Sequence, residues 1–148
     1  MSRRVSGAWG TLAVCLLVGC LPSPDQPEQS LQPGPPAREE FERVEAEIEA
    51  MDGIEDAALR LYDDDMTGQY LGGDVDVTPG ADPVAVLDDV YATLWSFRSW
   101  QPMFIDVFAT SEGKEYGLDG PLDKGGYRLF DDELGERYGP WPGPGPTP

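Results

Sequence analysis

Proline sets the limits of what this chain can fold. Residues 21–36, LPSPDQPEQSLQPGPP, hold six prolines in sixteen positions, and residues 139–148, GPWPGPGPTP, hold five in ten. Proline donates no backbone hydrogen bond and is excluded from helix interiors and central strands, so neither stretch builds regular structure. The rest of 21–36 is mostly polar and cannot bury a core, which makes it a disordered or polyproline-like spacer. At about 3.1 Å per residue it reaches roughly 50 Å when extended. The tail carries one adhesive side chain, Trp141, and is expected to lie apart from the rest. Residues 37–138 remain, enough for one small hydrophobic core.

Within that stretch the apolar period changes from helical to extended and back. Phe41, Val44, Ile48 and Met51 follow 3–4–3 spacing among glutamates, which predicts an amphipathic helix stopped near Gly53. Ala57, Leu59 and Leu61 alternate with polar neighbours in a first strand over 54–62. Asp63-Asp64-Asp65-Met66-Thr67-Gly68 reads as a turn into a second strand over 69–78, with Val75 and Val77 on one side and Asp74 and Asp76 on the other. The two predict an antiparallel hairpin. Pro79-Gly80 ends it, Asp82 is suited to an N-cap and Pro83 to a first helical position. A helix over 83–99 follows, with Val84, Leu87, Val90, Tyr91, Leu94 and Trp95 as its apolar face. Residues 103–110, MFIDVFAT, form a third strand with Ile105 and Val107 towards the helices and Phe104, Asp106 and Phe108 away from them. Short strands over 114–118 and 127–130 and a helix over 132–138 complete the expectation.

The expected architecture is therefore α+β: two helices on one face of a sheet of about three or four strands, in the order helix, strand, strand, helix, strand, with a C-terminal extension. This order resembles small ferredoxin-like and BON-type domains of the bacterial envelope. The Met51-Asp52-Gly53-Ile54 junction is similar to the helix-to-strand junction of such domains, and the resemblance gives Gly80 the place of the glycine they carry after their second strand. Tyr116, Leu118, Tyr127, Leu129 and Phe130 are expected to cover Phe104 and Phe108 in part. Left open, that face is an aromatic patch suited to docking.

The first twenty residues have a separate logic. Arg3 and Arg4 precede an apolar run, AWGTLAVCLLV, that ends in Leu17-Val18-Gly19-Cys20. About eleven apolar residues are too few for a bilayer span, which needs about twenty. The motif resembles the lipobox of bacterial lipoprotein precursors. The resemblance implies a diacylglyceryl group on the Cys20 sulfur, cleavage after Gly19 so that residues 1–19 are a signal peptide, and residues 20–36 as a lipidated tether on the extracytoplasmic face of the cell membrane. The other cysteine, Cys15, would leave with the signal peptide, so the domain would hold no free thiol and no disulfide.

Charge and composition narrow the function. The chain has 28 acidic and 10 basic residues, and removal of Arg3 and Arg4 with the signal peptide leaves eight bases against 28 acids, a formal charge of −20. Nucleic-acid binding needs clustered Lys and Arg for phosphates and is not expected. The sequence has no histidine, and its only serines within 37–138 are Ser96, Ser99 and Ser111, none in a nucleophile elbow. Serine or cysteine triads and histidine-bound zinc are excluded, and no phosphate loop or dinucleotide fingerprint calls for a cofactor. Oxygen ligands are plentiful: Asp63, Asp64 and Asp65 form one candidate cation site, Asp74 and Asp76 another. The start of an EF-hand loop is echoed at Asp74, but Pro79 stands where glycine is needed and Ala85 where glutamate is needed. The resulting expectation is a non-catalytic binding or scaffolding module that meets an envelope protein through Phe104 and Phe108. The alternatives are a carboxylate-based cation or small-ligand binder and a small carboxylate hydrolase.

Overall fold

The computed structural model describes residues 35–64, 66–123 and 127–144. Cys20, the tether up to residue 34 and Asp65 lie outside the described residues. The fold is α+β, and the described residues form three helices and a six-stranded mixed sheet, in the order α1 (Pro35–Glu49), β1 (Ile54–Asp64), β2 (Gly68–Val77), α2 (Pro83–Trp95), β3 (Phe104–Ser111), β4 (Lys114–Gly117), β5 (Gly120–Pro121), β6 (Arg128–Phe130) and α3 (Asp131–Tyr138). The helix–strand–strand–helix–strand order is the expected one. The sheet is larger than expected because the C-terminal extension joins it as three short strands.

Strand β3 is the organising element. It runs parallel to β2 on one side, from Tyr70 opposite Phe104 to Asp76 opposite Thr110. On its other side two short antiparallel strands share its length: β6 pairs Phe104–Asp106, and β4 pairs Ala109–Ser111. Strand β1 lies beyond β2 as its antiparallel hairpin partner, and β5 lies beyond β4. Alternation sends Ala57, Leu59, Leu71, Val75, Ile105, Val107 and Ala109 inward, where they meet Val44 and Ile48 of α1 and Val86, Leu87, Val90, Tyr91 and Leu94 of α2 in one core. Phe41 and Met51 pack partly against it. Val86 takes the buried place expected of Val84, which is half-exposed in the first turn of α2. Asp82 caps that turn, its carboxylate accepting from the N–H groups of Val84 and Ala85 at 3.0 and 3.4 Å.

Two side chains hold the backbone where the regular pattern runs out. Between β6 and β4, among the described residues, no strand pairs with β3 beside Val107. There the Tyr91 hydroxyl, reaching from α2, donates to the Val107 carbonyl at 2.9 Å and accepts from the Val107 N–H at 3.2 Å. Glu40 of α1 does the equivalent after α2. Its carboxylate accepts from the N–H groups of Arg98 and Ser99 at 3.1 and 2.6 Å, and α2 ends at Trp95, short of the expected Ser99. Those two N–H groups would have continued the helical ladder. The chain instead turns Phe97 and Trp100 into the core, edge to face at 5.9 Å.

Burial tends to raise the pKa of Glu40, but the hydrogen bonds from Ser99 and from the Arg98 N–H outweigh it and hold the carboxyl below its ordinary 4.5. A depressed folded pKa means that the unfolded chain takes up the proton first on acidification. The Glu40 contribution is therefore present above pH 4.5 and is lost as pH falls through the folded value. We expect Glu40→Gln to destabilise the domain by about 1 kcal/mol at neutral pH and by less as pH falls below 4.5. Paired urea melts at pH 7 and at successively lower pH check this, and a difference that stays constant as the pH falls would refute it.

The tail does not stand apart as expected. Trp141 packs against the core and donates its indole N–H to the Phe97 carbonyl at 2.7 Å, while Trp95 donates to the Gly139 carbonyl at 2.8 Å. Trp95 is buried and Trp141 partly so, and each of these two finds a backbone acceptor for its one donor, which outweighs the freedom of a short Pro/Gly segment. Asp88 of α2 fastens α3, accepting from Tyr138 Oη at 2.7 Å and Arg137 Nε at 2.9 Å.

Candidate functional site

With α1 and α2 on one face, the other face of the sheet is built from the residues that alternate outward. Register places them in rows that cross the strands. The first row is Tyr62, Tyr70, Phe104 and Phe130 on β1, β2, β3 and β6. The second is Arg60, Gly72, Asp106 and Arg128, and the third includes Ala58, Asp74 and Phe108. Directly opposed side chains on one face are the contacts that stabilise sheets. Here they form a continuous aromatic ladder. Tyr62 and Tyr70 stack at 4.4 Å, Tyr70 and Phe104 stack at 4.6 Å, and Phe104 meets Phe130 edge-on at 5.7 Å. The Arg128 guanidinium lies 4.1 Å from the centre of the Phe104 ring, and its Nη2 donates to Asp106 at 3.0 Å.

Gly72 opens a gap in the second row. A β-carbon there would stand 3.2 Å from a ring carbon of Tyr62 and 3.5 Å from one of Tyr70, so both rings lean over the bare backbone. Beside them a cleft of about 350 Å³ opens, lined by the two tyrosines, Gly72, Asp74, Asp106 and Phe108. Its walls are aromatic and its polar groups are carboxylates. A second cleft of about 330 Å³, with Met103, Gly68 and Asp131 in its walls, lies at the end of the ladder where Met103 and Phe130 are exposed.

The expected site residues divide. Phe108 is half-buried and lines the larger cleft. Phe104 is only 3 % exposed, covered by Tyr70, Phe130 and Arg128, so it supports the face rather than presenting itself. The expected partial cover from the C-terminal segment reduces to Phe130. Tyr116 stands opposite Ala109 and Leu129 opposite Ile105, both core-facing positions, and these side chains with Leu118 and Tyr127 pack on the helix side. Of the candidate cation ligands, Asp74 and Asp76 project outward from β2, with Asp56 opposite Asp76. Asp63 accepts from Gln69 Nε2 at 3.4 Å, and Asp64 ends β1 opposite Gly68. Among the described residues no three acidic side chains gather into a metal-sized group.

Tyr62, Tyr70 and Arg128 were absent from the expected site. The two tyrosines stand at equal distances from the centre of the hairpin turn, and that spacing is the sequence signal for a cross-strand pair. Arg128 has no comparable signal, because its place depends on β6 pairing with β3. No protein-family model matches the chain, no curated protein matches it, and no solved structure matches it.

Proposed function

We propose that this chain is a lipid-anchored, non-catalytic binding module of the cell envelope that holds a protein partner against the outer face of its sheet. The observation that carries the reading is the cleft beside the aromatic ladder, walled by Tyr62, Tyr70 and Phe108 and rimmed by Asp74 and Asp106. Aromatic rings beside Asp74, a carboxylate in addition to the Asp106–Arg128 pair, suit a cationic or aromatic side chain, and the acidic chain would draw a basic partner surface towards it. Cys20 supplies the membrane attachment in this reading, and the proline-rich spacer gives the domain room to reach a partner near the membrane.

A photo-crosslinking side chain placed at Phe108 in cells is expected to yield a discrete protein adduct. The same group at Glu47, exposed on α1, is expected to yield none, and Asp74→Lys is expected to weaken the Phe108 adduct. Identical adducts from both positions would end the proposal for this face. Cys20→Ala is expected to abolish labelling by a fatty-acid probe and to release the chain from the membrane fraction. Labelling that survives the substitution would end the proposal for the anchor.

A further inference from the structure

The sheet ends on β1, and β1 is an unusual strand to leave at an edge. It spans 11 residues, against a usual strand of about five or six. Its inner neighbour β2 pairs with it from Ile54 to Asp64, and among the described residues no strand pairs with its other side. Proteins usually blunt such an edge by shortening it, breaking it with proline or setting lysines along it. None of these is present in IEDAALRLYDD. A register irregularity between Ile54 and Asp56 disturbs one end only.

What β1 carries instead is acid at both ends, Glu55 and Asp56 at one and Asp63 and Asp64 at the other. Against a second copy of this chain the charges repel in either direction. A parallel copy in register sets each acid over itself, and an antiparallel copy centred on Leu59 sets Glu55 opposite Asp63 and Asp56 diagonal to Asp64. Between the acids the strand is permissive. Ala58 and Arg60 are exposed on the outer face, and Tyr62 turns one side of its ring to Tyr70. The ladder that steps through Tyr62, Tyr70, Phe104 and Phe130 stops at β1 only because the sheet does. The chain's own spacer does not fit the edge. Residues 21–36 carry six prolines, which withhold ladder donors, and two acids of the wrong sign.

We propose that the open edge of β1 accepts an extended basic segment of a partner protein as an additional antiparallel strand. Main-chain hydrogen bonds hold it, lysine or arginine at its two ends meets Asp63 or Glu55 and Asp56, and an aromatic or arginine residue opposite Tyr62 continues the ladder. The acids thus discriminate, refusing like chains and selecting a cationic strand. The edge adjoins the Phe108 cleft at Tyr62, which belongs to both, but the backbone groups of β1 and the Phe108 side chain are tested separately.

The test uses the full chain in mild detergent and labelled nine-residue peptides with an alternating valine–threonine interior around one tyrosine. One peptide ends in lysines, a second ends in glutamates, and a third is the lysine peptide N-methylated along its backbone. The lysine peptide is expected to bind and to slow hydrogen exchange at β1 amides. The glutamate peptide is expected to bind about tenfold more weakly or worse, and the methylated peptide is expected to give no protection. Glu55→Lys with Asp56→Lys, both exposed, is expected to weaken the lysine peptide by about tenfold while the melting temperature is kept. Equal binding of the methylated and unmethylated lysine peptides would show charge attraction without strand addition and overturn the proposal. Bound lysine peptide that leaves β1 amides unprotected would overturn it too, whether or not the double variant folds.

Discussion

Gly73→Ala is expected to destabilise the domain by about 4 kcal/mol, enough to lower its melting temperature by roughly 20 °C. Gly73 lies in the middle of β2 at φ +147°, a conformation that residues with a side chain rarely adopt. Its inward position brings β1 against the bare backbone. A β-carbon there would collide with the Ala58 carbonyl oxygen and stand 2.9 Å from the Leu59 α-carbon. Both contacts are backbone, so no side chain can swing aside to relieve them. Gly80→Ala separates the two effects. Gly80 also has positive φ, at +92°, but nothing lies within 4 Å of the place a β-carbon would take, so only conformational strain of about 1 kcal/mol is expected. Thermal melts of the two variants decide. Similar small losses for both would mean that β1 and β2 can separate at Gly73 without consequence, and the hairpin register would be wrong.

Tyr91→Phe removes a single oxygen and is expected to destabilise the domain by about 3 kcal/mol. That oxygen fills the break between β6 and β4, where the Val107 N–H and C=O would otherwise be buried without partners. The ring stays, so apolar burial is unchanged and the loss reports the orphaned backbone groups. Tyr62→Phe, which removes a hydroxyl from the outer face, is expected to change stability by less than about 0.5 kcal/mol. A pH arm adds a second readout. Burial pushes the ionisation of Tyr91 far above its ordinary 10.0, so the unfolded chain ionises first as pH rises. The hydroxyl's contribution is complete below pH 10.0 and is lost above it, and Tyr91→Phe removes that part of the alkaline decline. Equal chemical stability of Tyr91→Phe and Tyr62→Phe would show that Val107 finds another partner.

These two positions mark how far local pattern carries. The 3–4–3 spacing of Phe41, Val44, Ile48 and Met51 and the alternation through Ala57, Leu59 and Leu61 are properties of neighbouring residues, and the helix and strand they imply are present. Asp82 and Pro83 mark the start of α2 just as locally, because an N-cap bonds only to the next turn. The end of α2 is not local. The residues after Trp95 remain compatible with a helix, and the chain leaves it because Glu40, far away in sequence, takes the Arg98 and Ser99 N–H groups. The candidate face shows the same division. Alternation is sufficient to turn Phe104 and Phe108 outward, but their exposure differs because Phe130 and Arg128 arrive beside Phe104 on β6. Tyr70 and Gly72 are ordinary strand residues until the parallel pairing with β3 sets one in the ladder and the other on the floor of a cleft.

The sequence by itself determined the acidity of the chain, its α+β order and the absence of histidine and cysteine from residues 37–138. Each of these follows from composition or from periods within one element. Only the tertiary structure decided that β3 would be shared by β6 and β4, that Tyr91 would seal the break between them, that Trp141 would fold back, and that β1 would stand at the open edge of the sheet. These depend on pairings between distant segments. Such pairings are set by competition for the same backbone donors and the same apolar surface, and no window of neighbouring residues contains both competitors.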